Sequence, residues 1–99
     1  MTLRHIALFR WKDDVTDAQI AEVERLLGAL PDAVPELRSY TFGRDAGIGE
    51  GAFDFAVVAD VDDEGGFLAY RDHPDHQAAL AVIRPLLADR AALQYPLSG

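Results

Sequence analysis

Three observations predict an α+β fold of the ferredoxin-like βαββαβ kind, a four-stranded antiparallel sheet with two helices on one face. The segments Leu3–Lys12 and Phe53–Val61 alternate with period two yet are apolar on both sides. Two further segments carry apolar residues at helical spacing and open on capping residues. The order strand, helix, strand, strand, helix, strand then fills 99 residues, which makes a single domain, 1–99, with room for one core.

The first strand splits into His5, Ala7, Phe9 and Trp11 on one side and Arg4, Ile6, Leu8 and Arg10 on the other. Thr16 with Gln19 three positions on forms a capping box. Ile20, Val23, Leu26, Leu27 and Leu30 give the first helix its apolar stripe, and Pro31 is expected to end it. Leu37–Asp45 reads as the second strand and "AGIGEG" as a glycine-rich connector. In the third strand Phe53, Phe55, Val57, Ala59 and Val61 share a side. Asp62 and Asp63 suit the start of the second helix, which runs through Phe67, Leu68 and Tyr70. Pro74 cannot donate its amide and disfavours helical geometry at His73, so a kink or restart is expected there. Helical spacing resumes in "PDHQAALAVIRPLLAD", with Leu80, Ile83 and Leu87 inward. Ala91–Leu97 is the last strand, placed at an edge or strand end by Pro96.

With both helices on one face, the other sheet face carries His5, Phe9 and Trp11 if Ile6 and Leu8 face the helices. Several exposed aromatics forfeit several kcal/mol at roughly 25 cal/mol per Å². Such a face calls for a partner or ligand, and a second copy related by two-fold symmetry is the simplest.

Nine basic against seventeen acidic residues give a net charge of −8, and the basic ones are scattered. That opposes nucleic acid or an anionic membrane surface as a partner. There is no cysteine, which excludes disulfides, thiolate metal sites and cysteine nucleophiles. Ser39 and Ser98 are the serines, and neither lies in a nucleophile elbow. No segment approaches the roughly 20 apolar residues of a membrane span, and the N-terminal run lacks the features of a signal peptide. A cytoplasmic protein is expected.

The stretch "YRDHPDH", residues 70–76, concentrates the groups that carry chemistry. Histidine, with an ordinary pKa near 6.5, suits removal of an acidic C–H proton, and a tyrosine hydroxyl suits holding an enolate or alkoxide oxygen. On a helix Tyr70, His73 and His76 lie one turn apart in succession, and His5 reaches in from the first strand. Phe9, Trp11 and Phe55 either fill the core or an interface, or line an apolar cavity between sheet and helices suited to an aromatic or polyketide-like molecule. The motif is more simply accounted for without chemistry, with His73 capping the broken helix, His76 bonding a backbone carbonyl and Tyr70 packing with its hydroxyl at a rim. His73 and His76 with Asp72 or Asp75 form a donor set for zinc or iron, but His-x-x-His alone is a frequent accident. No metal and no cofactor is assigned.

The stretches "RHIALFRWKDDVT", "ALPDAVPELRSYTFGRDAG", "FDFAVVADVDD" and "AYRDHPDHQA" together resemble the stress-responsive α/β-barrel family, also called dimeric α/β barrel or Dabb domains, over nearly the whole chain. The resemblance implies a homodimer in which two four-stranded sheets close into a barrel. It implies no single activity, since the family includes stress-associated plant proteins without an established reaction and a plant polyketide cyclase that performs an intramolecular aldol condensation. In that cyclase a tyrosine and a histidine of a Tyr-x-x-His-Pro-x-His stretch are catalytic, and the match carries these roles to Tyr70 and His76. His5 matches a further histidine of its first strand, and Phe55 stands where it has one in the third. Two readings result. One is a homodimer without assigned activity that takes up a small apolar or aromatic molecule. The other is a cofactor-free, polyketide cyclase-like lyase with His76 as base, Tyr70 as oxyanion donor, and His5 and His73 orienting them.

Overall fold

The computed structural model describes residues 2–98. Strand β1 (Thr2–Trp11) leads into helix α1 (Asp17–Gly28) and a short helix α2 (Leu30–Ala33), followed by the hairpin strands β2 (Ser39–Arg44) and β3 (Phe55–Val61). Helices α3 (Glu64–Asp72) and α4 (Pro74–Ile83), a 3-10 turn at Arg84–Leu86 and strand β4 (Leu87–Leu97) complete the chain. The sheet is antiparallel throughout, in the order β2-β3-β1-β4, so the hydrophobic strands β1 and β3 are central and Pro96 sits on an edge strand. This is the ferredoxin-like arrangement.

The capping box at α1 forms as its sequence demands. The Thr16 hydroxyl accepts from the Gln19 amide at 3.2 Å, and the Gln19 side chain accepts from the Thr16 amide at 2.8 Å. Pro31 does not end a helix. It lies in the first turn of α2, where a missing N–H costs nothing because that amide has no intrahelical partner.

Three further expectations are corrected. Helix α4 stops at Ile83, and Leu87 belongs to a strand that starts four residues before Ala91, because Pro85 tightens the chain into a 3-10 turn and β1 supplies a ladder for the next eleven residues. Phe53 falls outside β3, and the Arg10 guanidinium lies 4.4 Å over its ring. The faces of β1 are the reverse of those expected. His5, Phe9 and Trp11 are buried on the helix-covered side, and Ile6 and Leu8 lie on the open side. The larger side chains fill the wider gap between sheet and helices, where Phe55 packs against Phe9, Trp11 and Phe42 at ring separations of 5.7–6.1 Å. On the open side Ile6, Leu8, Val58 and Leu93 form an apolar strip, and Leu93 is 55% exposed.

The hairpin loop between β2 and β3 is closed by the Asp45 amide, which donates to the Asp54 carbonyl at 2.8 Å. Gly47 and Gly51 turn it with φ of 77° and 70°, angles that side chains rarely adopt.

Candidate functional site

The site begins at the break between α3 and α4. With no N–H, Pro74 can start a helix but not continue one, so His73 takes an extended conformation (φ −60°, ψ 136°) and becomes the last cap of α3 and the first of α4. Its Nδ1 accepts from the Asp75 amide at 3.1 Å. The break leaves the carbonyl of Arg71 without a helical partner, and the first turn of α4 supplies two substitutes. His76 Nδ1 lies 2.9 Å from this oxygen and the Gln77 side-chain amide 2.6 Å from it. A carbonyl only accepts, so Nδ1 of His76 carries the hydrogen and Nε2 keeps its lone pair.

Tyr70, on the last turn of α3, packs against His76 with ring centres 4.2 Å apart and planes tilted by 35°. Its hydroxyl is buried rather than at a rim, and lies 3.0 Å from the hydroxyl of Tyr40 on β2. His5 enters from β1, its ring centre 5.0 Å from that of Phe67 and 6.2 Å from that of Tyr70. In the β1–β4 register His5 faces Gln94, whose amide donates to His5 Nδ1 at 2.8 Å. One imidazole is thus held by a strand and the other by a helix break.

Burial sets the protonation of these groups. Desolvation, reinforced by the nearby Arg90 charge and by His76, lowers the pKa of His5 to about 4. His76 is also lowered, chiefly by desolvation, with its bond to the Arg71 carbonyl working the other way. Both are neutral at pH 7. Desolvation raises the Tyr70 hydroxyl, and the hydrogen bond with Tyr40 opposes that rise. Tyr40 is raised as well, by desolvation first and then by Tyr70. Either hydroxyl of the pair can donate to the other, and with Tyr40 as donor the Tyr70 proton is left for another acceptor.

These groups border a cavity of about 480 Å³ between the helix-covered face of the sheet and helices α3 and α4. His5, Phe9, Tyr70 and His76 line it, together with Phe67 and Leu80. Trp11 and Phe55 do not; they belong to the aromatic core beside it. His73 does not line it either, since its ring is turned to the start of α4. No group of three or more His, Asp or Glu side chains converges on a point among the described residues, and the histidines that line the cavity are His5 and His76. Tyr40, Phe67, Arg84, Arg90 and Gln94 also belong to the site and were not among the sequence candidates. The last two share a face with His5 and Phe9 through the β4 register, which becomes visible once β4 is known to start at Leu87. The arrangement offers a neutral imidazole with a free ring nitrogen, a phenol able to donate, and apolar walls. It is suited to holding a small molecule and moving one proton on it.

Comparison with known proteins agrees with this architecture. Residues 3–97 match the family described as Stress responsive A/B Barrel Domain. An uncharacterized protein of Streptomyces coelicolor is 30% identical over 84 residues, covering 83% of this chain and 87% of its own. A dimeric ferredoxin-like protein of unknown function from Thermobifida fusca superposes with a TM-score of 0.92 at 60% identity, covering 98% of this chain and 92% of its own. A dimeric protein of unknown function and ferredoxin-like fold from Bacteroides fragilis does so with a TM-score of 0.82 at 25% identity, covering 97% and 96%. Because the match runs from the first strand to the last and includes the broken helix that builds the cavity, the chain belongs to the stress responsive A/B barrel domain family.

Proposed function

We propose that this protein is a homodimer in which each chain binds one small, mostly apolar or aromatic molecule between its sheet and its helices, with the cytosol as the expected compartment. The observation that carries the reading is the cavity of about 480 Å³ itself, whose apolar walls meet a short row of polar groups, His5, Tyr70 and His76. Ligand sites commonly have this size and this mixture. The homodimer is supported by the apolar strip on the open sheet face and by the dimeric relative at 60% identity. Two copies meeting through Ile6, Leu8, Val58 and Leu93 remove that strip from water and close two sheets around it.

Light scattering at micromolar concentration and proton NMR of the histidine rings, with a panel of aromatic and polyketide-like molecules, test both halves. The expected result is a dimer whose His5 and His76 signals move together with one class of ligand. A monomer would remove the dimer, and signals indifferent to every compound would remove the ligand.

One observation favours a second reading, in which the bound molecule is also transformed. The tautomer of His76 leaves Nε2 as a base, and Tyr70, its ring centre 4.2 Å from that of His76, is hydrogen-bonded to Tyr40 and, with Tyr40 as the donor, has its own proton to give. In an intramolecular aldol condensation His76 takes the proton from a carbon between two carbonyls. The resulting carbanion attacks a further, more distant carbonyl of the same molecule, and the new alkoxide is held by Tyr70 and protonated from His76, which returns both groups to their starting states. No cofactor is needed for that sequence. Turnover that survived both His76→Ala and Tyr70→Phe would rule out these roles.

A further inference from the structure

We infer that the ligand of this cavity is an organic acid, an apolar or aromatic body bearing one carboxylate that Arg84 and Arg90 hold at the open side. This inference rests on the cavity being a ligand site and names the chemical class it takes.

The charge distribution carries it. The chain has seventeen acidic residues and a net charge of −8, yet no aspartate or glutamate is among the described residues that line the cavity. Three arginines are there instead, Arg71, Arg84 and Arg90. In a protein this acidic, guanidinium groups normally find carboxylates. Arg4 pairs with Asp60, Arg25 with Glu22, Arg38 with Asp62, and Arg44 with Asp17 and Glu24. Arg71 is engaged too, at 2.9 Å from Asp72. Among the described residues Arg84 and Arg90 have neither an ion pair nor a side-chain hydrogen bond, and both border the cavity.

Their placement follows from the fold. Arg84 ends α4 two turns beyond His76, at the start of the 3-10 turn. Arg90 stands opposite Phe9 on β4, so it points to the same side of the sheet as His5 and Phe9. Because β4 is an edge strand, Arg90 and Gln94 line the cavity from the edge of the sheet, and both Arg84 and Arg90 are exposed to solvent. Both charges are felt inside, Arg90 by His5 and Arg84 by His76, and each lowers the proton affinity of its histidine. An anion placed between them offsets both repulsions. A carboxylate fits better than a dianion, since the guanidinium fork matches its two oxygens and the neighbouring walls, Phe9, Leu80 and Ile83, require the remainder of the ligand to be hydrocarbon.

The test uses a matched pair, 4-hexylbenzoate and 4-hexylbenzamide, titrated into the full chain and into R84Q/R90Q, with the His5 and His76 ring signals as the readout. The unsubstituted protein is expected to bind the acid about tenfold or more tightly than the amide. In R84Q/R90Q that preference is expected to vanish while the affinity for the amide stays the same, which also shows that the variant is folded. Equal affinity for acid and amide in the unsubstituted protein, or a preference that survives the double substitution, overturns the inference and leaves the cavity as a site for neutral molecules. If neither compound moves the signals, the ligand-site reading fails and the carboxylate anchor fails with it.

Discussion

The two faces of the sheet have nearly the same apolar pattern and opposite fates. On the helix-covered face Phe9, Trp11, Phe42 and Phe55 stack into a core, and His5 and Tyr40 join the helical pair Tyr70 and His76 beside it. On the open face the same strands present Ile6, Leu8, Val58 and Leu93, bordered by the two-pronged ion pair of Arg4 with Asp60 at 2.9 Å. All the aromatic bulk of the central strands, and all the chemistry, is on one side. Volume rather than polarity sorts these faces, because a helix layer held about 10 Å from a sheet needs large side chains to fill the gap. The open side keeps small aliphatic residues that a second sheet can approach.

The strongest way to break this contrast is Phe55→Ala. Phe55 is 2% exposed and is the hub of a four-ring cluster, stacked on Phe9 and Phe42 and tilted against Trp11, so its removal leaves a cavity with few ways to collapse. A loss of about 3–5 kcal/mol is expected in urea unfolding. Val58→Ala, on the same strand and the other face, is expected to cost less than about 1.5 kcal/mol at the same protein concentration. Equal losses would mean that the faces do not differ in packing.

Acid separates the faces next. His5 has a folded pKa of about 4 against an ordinary 6.5, so the unfolded chain binds its proton first as pH falls. Stability from this group is therefore complete above about pH 6.5, declines from there to about pH 4 and is level below, and His76 adds a decline of the same sign. Roughly 2–3 kcal/mol is expected for His5, somewhat below the full linkage value because it sits at a cavity wall. Carboxylates titrate at the low end of this window, so the relevant quantity is the difference between the protein and His5→Gln. A curve of the same slope in both would assign the acid sensitivity elsewhere.

The open face is tested through assembly. Leu93→Arg puts a charge into the apolar strip, at its β4 end, without touching the cavity. The dimer is expected to weaken by about thirtyfold in dissociation constant, near 2 kcal/mol, with unchanged ligand binding per chain. Light scattering over a dilution series reads the first and the histidine NMR titration the second. Undiminished dimerization would place the interface away from Leu93.

Much of this architecture was legible in residue order, and the illegible parts share a cause. The Thr16 cap, the break at Pro74 and the pairing of Tyr70 with His76 depend on neighbours in sequence, and local chemistry was enough to place them. The face assignment of β1 was not, since both alternating sets are apolar and only the packed layer distinguishes Phe9 from Leu8. Leu87–Arg90 has good helix-forming residues, and it is the ladder with β1, eighty residues away, that makes it a strand. The cost of that misreading was functional. A helical Arg90 has no relation to His5, whereas on β4 it stands on the same face and beside the cavity.

The smallest expected effect concerns neighbours on β2. Tyr40 points to the helix side and is hydrogen-bonded to Tyr70 at 3.0 Å, while Thr41 points to the open side and is exposed. Tyr40→Phe removes one buried hydroxyl and leaves the other without its partner, so a loss of about 1 kcal/mol is expected. Thr41→Val is expected to stay within about 0.5 kcal/mol. Stability alone does not show that the hydroxyl pair serves the site, because any buried hydrogen bond has a similar cost. The distinguishing readout is the Tyr70 phenol itself, observed by ultraviolet titration in a Tyr95→Phe background that removes the exposed tyrosine. Without the bond to Tyr40 the Tyr70 phenol is expected to ionise at higher pH, since the group that favoured its phenolate is gone. A Tyr70 titration indifferent to Tyr40→Phe would mean that the two hydroxyls only fill space, and that the proton of Tyr70 is not directed by its neighbour.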